Sequence, residues 1–230
     1  MFKTDIASGA VATLSTANYF AGLDAATLDA IARTAIQRDY EVDQVIFLEG
    51  KPCAGLHIVQ KGWLKSFKAS PAGREQIIRV VGPGEVFNEA CVFAGGSNRA
   101  TAVALERATV WVISRERMLR LIDEYPALSR LVIQDLAQRV LHLLDLVEDL
   151  SLRTVEARLA RLLLEQSAEG VLQRHYWTTQ AEIASQLGTV PNVLNRALRN
   201  LVEEGLIRME RHQIQILNYK GLKAKAILSE

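Results

Sequence analysis

Cysteine is almost absent from the 230 residues: only Cys53 and Cys91 occur, and they form no C-x-x-C pair. That argues against a disulfide framework, a zinc ribbon and a cysteine-rich iron–sulfur site. No run of 18 apolar residues occurs, so no helix is expected to cross a membrane. The first residues include Lys3, but their apolar stretch is short and broken by Asp5, Ser8, Thr13 and Ser15. A secretory signal is therefore not expected, and the cytoplasm is the expected location. Net charge is nearly absent too, at +1. What remains is ordinary globular material, 49% hydrophobic and 23% charged. It is enough to build a core in one large domain or two small ones, and it excludes disorder.

The near-zero charge hides a division. Residues 1–150 carry −2 and residues 151–230 carry +3. A basic C-terminal part fits a polyanionic partner.

Residues 18–35 read as a short helix, with Leu23, Leu28 and Ile31 at helical spacing and Asp24 as N-cap. From Tyr40 to Ser114 the period shortens. Runs at Val45–Leu48, Leu56–Val59, Trp63–Phe67, Gln76–Val81, Ala102–Leu105 and Thr109–Ile113 alternate with glycine-bearing turns. This predicts an antiparallel β sandwich, roll or barrel, with no helical crossover inside the block.

After Pro126 the pattern is continuously helical. Ile133, Leu136, Val140, Leu143, Val147 and Leu150 step by alternating threes and fours, the spacing of a coiled-coil seam, and favour a parallel homodimer. Leu128, Leu131, Val132 and Leu144 widen the apolar face, so one stripe can meet the β block. A long helix buried within one chain is the other reading.

A further helix runs from Thr154 to Gln166, followed by a break at Ser167–Gly170. Thr179 with Glu182 forms a capping box, Gly188 ends that helix, and Pro191 suits the first turn of the next. Val193, Leu194, Ala197, Leu198 and Leu201 give the next helix an apolar face, and Gly205 stops it. Two helices joined by a short turn read as a helix-turn-helix, and Leu206–Ile216 reads as a wing of two strands around a polar tip.

The fragments Phe47-Leu48-Glu49-Gly50, Ile58-Val59-Gln60-Lys61-Gly62 and Gly84-Glu85-Val86-Phe87-Asn88-Glu89 precede Thr179–Gly188, Arg196–Leu201 and Glu204-Gly205-Leu206-Ile207. In this order and spacing, over about residues 18–217, the chain resembles bacterial transcription regulators of the cyclic-AMP receptor protein/fumarate–nitrate regulator (CRP/FNR) family. The resemblance implies an α+β fold in three parts. They are a cyclic-nucleotide-binding-like antiparallel β-roll (1–125), a dimerisation helix (126–150) and a winged helix-turn-helix (151–230).

A recognition helix of this kind lies in the major groove. Pro191, Asn192, Asn195, Arg196 and Arg199 lie near its start. Arg196 falls where the family's arginine reads a guanine, and a bidentate contact there discriminates by about 1–3 kcal/mol. A solvated or internally paired arginine is the alternative, more so for Arg199. Asn192 and Asn195 suit adenine edges or phosphates, and Thr179 and Gln180 suit phosphates. Pro191 lacks a side-chain donor, so one family contact is missing.

The resemblance puts the effector pocket at Phe87, Asn88, Glu89, Arg99, Ala100, Leu143 and Leu144. Glu89 and Arg99 match the family's glutamate and arginine, but Asn88 replaces a glycine and Ala100 a serine. Leu143 and Leu144 stand where hydroxyls hold adenine. Cyclic AMP is therefore not expected, and Glu89 with Arg99 is expected to persist as a buried ion pair. The absence of an N-terminal cysteine cluster excludes an iron–sulfur sensor. Haem stays open through His57, His142 and Cys91, as do redox thiols, an apolar effector or none.

The leading expectation is a homodimeric, sequence-specific DNA-binding regulator. Its expected partners are a dyad-symmetric operator, its own copy and RNA polymerase, and no membrane. Its recognition helices would lie about 34–36 Å apart. A ligand-binding module or a haem-based gas or redox sensor acting through a partner is the alternative. An enzyme is not expected: no triad of metal ligands and no nucleophile–base spacing appears.

Overall fold

The computed structural model describes residues 2–173, 178–210 and 213–227. The chain divides into two compact units, Met1–Lys68 with Ile78–Val140, and Ala69–Ile77 with Leu141–Glu230.

The first unit is built on two four-stranded sheets. One has the order β1 (Ile36–Tyr40), β8 (Ala108–Ser114), β3 (Gly55–Lys61), β6 (Val86–Phe87). The other has the order β2 (Val45–Phe47), β7 (Thr101–Ala104), β4 (Leu64–Ala69), β5 (Glu75–Val81). The pairs β1–β8, β3–β8, β3–β6, β2–β7 and β4–β7 are antiparallel, as the glycine-punctuated short runs predict. Strand β3 shows why that block closes on itself, because both its faces are buried. Leu56 and Ile58 join a core with Trp111 and Ile113, whereas Val59 joins a second with Phe87, Ala104 and Val110. Successive side chains alternate between faces, so one strand serves two apolar layers.

Helices cover the first of those cores. Leu14 of α1 (Phe2–Thr16), Leu28 and Ile31 of α2 (Ala25–Ala32), and Met118 and Leu121 of α4 (Arg115–Glu124) are buried in it. Asp24 caps α2 by accepting from the Thr27 N–H at 3.0 Å, as its position in the sequence predicts. One short helix, α3 (Glu89–Ala94), interrupts the block between β6 and β7. Asn88 adopts φ +69° and breaks β6, and Gly95 at +78° ends the helix. Six residues are too few to show a helical period.

The long helix α5 (Pro126–Leu152) has two apolar stripes. Leu128, Val132 and Leu136, spaced by four, pack on the first core. Leu136, expected in the coiled-coil seam, thus faces the roll. Ile133, Val140, Leu143, Leu144, Val147 and Leu150 are exposed.

In the second unit, α6 (Val155–Gln166), α7 (Gln180–Gln186), α8 (Pro191–Glu203) and α9 (Tyr219–Lys225) surround a core of Leu159, Leu163, Ile183, Leu194, Leu201, Ile207 and Leu222. The wing has three strands where two were expected, with β9 (Val171–Gln173) pairing along β11 (Gln213–Ile216), which also pairs with β10 (Ile207–Met209). Of the expected polar tip, Arg211 and His212 lie outside the described residues.

Candidate nucleic-acid interface and sensor cassette

The helix-turn-helix is assembled by local rules. Thr179 caps α7 by accepting from the Glu182 N–H at 3.1 Å. Gly188 takes φ +66°, a left-handed conformation that favours glycine. The Thr189 N–H donates to the Ala184 carbonyl at 2.9 Å, which tightens the turn. Pro191 then opens α8 at its first position, where a missing N–H costs little.

Helix α8 is divided cleanly. Leu194, Ala197, Leu198 and Leu201 are buried, whereas Pro191, Asn192, Arg196 and Arg199 are exposed and Asn195 is half-buried. Gln180 and Thr179 are exposed at the start of α7. Grooves flank α8 on both sides. One of about 720 Å³ is lined by Gln180, Asn192, Asn195, Arg199 and Met209. The other, about 640 Å³, contains Arg196 together with Thr154, Glu156, Asn200 and Lys225. The candidate DNA-contacting side chains therefore gather on one helix and the start of its neighbour.

Glu156, Asn200 and Lys225 were not among the sequence candidates. Asn200 donates to Glu156 Oε2 at 3.0 Å, and Lys225 Nζ donates to Glu156 Oε1 at 2.8 Å and to Glu204 at 2.7 Å. Burial pushes the Glu156 carboxyl up, but the hydrogen bonds from Lys225 and Asn200 outweigh it and leave the group lowered.

In the first unit, the expected Glu89–Arg99 pair does not form. Arg99 is exposed, and Glu89 Oε1 instead meets Arg139 of α5 at 2.6 Å. Arg139 also pairs with Asp135, donates to the Val86 carbonyl at 2.9 Å and lies 5.9 Å from the Tyr19 ring centroid. All three charged side chains are largely buried. Burial pushes the Glu89 carboxyl up, while Arg139 draws it down without cancelling the shift. A sequence signal existed: Asp135 and Arg139 stand four apart on a helix whose neighbouring positions face a core.

Asn88 has its own work. Its amide donates to the Gly55 carbonyl and to Asn98 Oδ1, both at 3.2 Å, and lies 3.6 Å from Cys53 Sγ. Cys91 Sγ lies 3.6 Å from the same Asn98 oxygen. Burial, with Cys91 beside it, pushes the Cys53 thiol up to about 11, away from the reactive thiolate. Phe87 is buried against Phe47 and His57, and Ala100 is half-buried. His57 is 2% exposed, and burial lowers it to about 4. His142 is exposed, as are Leu143 and Leu144 on the later part of α5. Among the described residues no three His, Cys, Asp or Glu side chains gather as metal ligands, and no helix is long and apolar enough to cross a membrane.

Comparison with known proteins agrees with these two architectures. Residues 37–125 match the cyclic nucleotide-binding domain family, and residues 157–225 match the Crp-like helix-turn-helix domain family. The "Cyclic AMP receptor protein" of Thermus thermophilus is 31% identical over 191 residues, covering 83% of this chain and 88% of its own. The "CRP-like cAMP-activated global transcriptional regulator" of Mycobacterium tuberculosis is 26% identical over 219 residues, covering 93% and 98%. In fold, the chain is similar to FixK2 from Bradyrhizobium japonicum, with a TM-score of 0.74 at 24% identity over 85% of this chain and 99% of that one. The two domain matches in series, with a relative above 30% identity along most of both chains, show that this protein belongs to the CRP/FNR family of DNA-binding transcription regulators and is not an enzyme.

Proposed function

We propose that the protein works as a cytoplasmic homodimer on a dyad-symmetric operator, with Arg196 as the principal base-reading side chain and RNA polymerase as a further partner. The observation that carries this reading is the face of α8. Arg196 and Arg199 project from a helix anchored by four buried residues, and Asn192 and Asn195 stand beside them. A guanidinium fixed on a rigid helix can donate in parallel to guanine O6 and N7. Thr179 and Gln180 are positioned as phosphate contacts.

Arg196→Ala is expected to cost about 1–3 kcal/mol on the selected operator while leaving affinity for random duplex nearly intact. Titration of both duplexes at one salt concentration measures it. Equal losses on the two would make Arg196 a phosphate contact.

The exposed seam of α5 supports the dimer. Five of the six expected seam side chains, Ile133, Val140, Leu143, Val147 and Leu150, are exposed apolar groups on a helix whose other stripe is already packed. Leu143→Asp is expected to weaken self-association, because two carboxylates would meet in an apolar seam. Sedimentation equilibrium reads this directly, and an unchanged dimer would remove α5 from the interface.

We propose that any effector acts where α5 meets β6 and α3, the junction spanned by Arg139. Cyclic AMP is not the proposed effector. Glu89 is already engaged by Arg139, and Leu143 and Leu144 offer no donor to an adenine edge.

A further inference from the structure

The groove on the Arg196 side of α8 holds one carboxylate and two cations. Glu156, Arg196, Asn200 and Lys225 all line it. Asn200 follows Arg196 by four residues, so the two share a helix face with Cβ atoms about 5–6 Å apart. Glu156 Oε2 is 3.0 Å from the Asn200 amide and therefore within reach of a guanidinium one turn earlier on α8. Yet Arg196 is exposed, and the ion pairs of Glu156 run to Lys225.

We infer that Lys225 is a specificity-determining residue: by occupying Glu156 it keeps Arg196 from folding back into an internal ion pair and leaves it available to the base edge. The inference rests on Arg196 as the base reader. The arrangement supports a division of roles between the two cations. Lys225 reaches Glu156 from α9 and is braced by Glu204, whereas Arg196 carries the planar fork that suits a guanine. Its chemistry is competition for one acceptor. Without Lys225, Glu156 would sit half-buried beside a free arginine, and the attraction would act within one domain, ahead of any encounter with DNA.

The test uses the full-length chain and a duplex selected by it from a randomised pool. Discrimination is the ratio of affinities for that duplex and for one with the recognised guanine replaced. Lys225→Met is expected to lower the ratio about tenfold, approaching Arg196→Ala, with melting temperature and random-duplex affinity nearly unchanged. Adding Glu156→Gln to Lys225→Met should bring the ratio back to within about twofold of wild type, and Lys225→Arg should keep it. That rescue is what a purely structural role would not produce. Uniform loss on every duplex would make Lys225 a phosphate contact, and an unchanged ratio or a loss without rescue would equally overturn the inference. If Lys225→Met does not fold, Lys225→Ala takes its place with the same outcomes: a lowered ratio rescued by Glu156→Gln upholds the inference, and an unchanged ratio or an unrescued loss overturns it. Arg196→Ala separates the levels, since no loss of discrimination there refutes the base-reading assignment itself.

Discussion

Arg139→Leu is expected to destabilise the first unit by about 3–5 kcal/mol, the cost of leaving buried charge without its partner. The geometry sets the size. Arg139 is the guanidinium that meets both Glu89 and Asp135, and those carboxylates are only 14% and 13% exposed. The Oε2 atom of Glu89 is buried without a hydrogen bond, so it has no second donor to fall back on. Urea unfolding monitored by tryptophan fluorescence would measure the loss, with Trp111 in the adjoining core as a reporter. Removing the charges together, as Glu89→Gln/Asp135→Asn/Arg139→Leu, should recover at least half of it, because the penalty comes from unpaired charge. A single-variant loss below about 1 kcal/mol would show that the cluster is solvated in solution.

The second large effect is a dependence on pH. His57 has an ordinary value of 6.5 and is lowered to about 4 by burial in the roll. In the unfolded chain it takes up a proton below 6.5, whereas the folded chain resists doing so until pH nears 4. The stability tied to neutral His57 is thus fully present above 6.5 and lost as pH falls towards 4. The slope is about 1.4 kcal/mol per pH unit, or about 3 kcal/mol across the window. The comparison that isolates it is wild type against His57→Leu. The variant should show a shallower fall between pH 6.5 and 4, measured by urea unfolding at each pH. Parallel curves would place His57 in contact with water.

The elements legible in the sequence share one property: their signal lies within a dozen residues. The capping Thr179, the left-handed Gly188, the Pro191 start and the spacing of Leu194, Ala197, Leu198 and Leu201 are local, and the helix-turn-helix could be read from them. The strands of the roll were legible through their glycine turns. What escaped was either short or distant. Helix α3 is less than two turns, and β9 is three residues joined to a wing 40 positions later. The Glu89–Arg139 pair and the Asn200–Glu156–Lys225 network join residues 50, 44 and 69 positions apart. A charged residue on a helix reads as solvated until its partner is known, and only the fold supplies that partner. Arg99 failed for a related reason. Family position identified the residue, but position does not determine which way a side chain turns.

The C-terminal helix also fixes how the DNA-binding half can be cut from the chain. Leu222 is 0% exposed within its core, Asn218 caps α9 by accepting from the Gly221 N–H at 2.8 Å, and Arg153 donates to the Ala226 carbonyl. A fragment ended at the wing would lose a core side chain, and one begun at Thr154 would lose the guanidinium that holds the last turn. The minimal unit for isolated-domain spectroscopy therefore runs from Arg153 or earlier through at least Ala226, and an affinity tag belongs at the other end of that fragment.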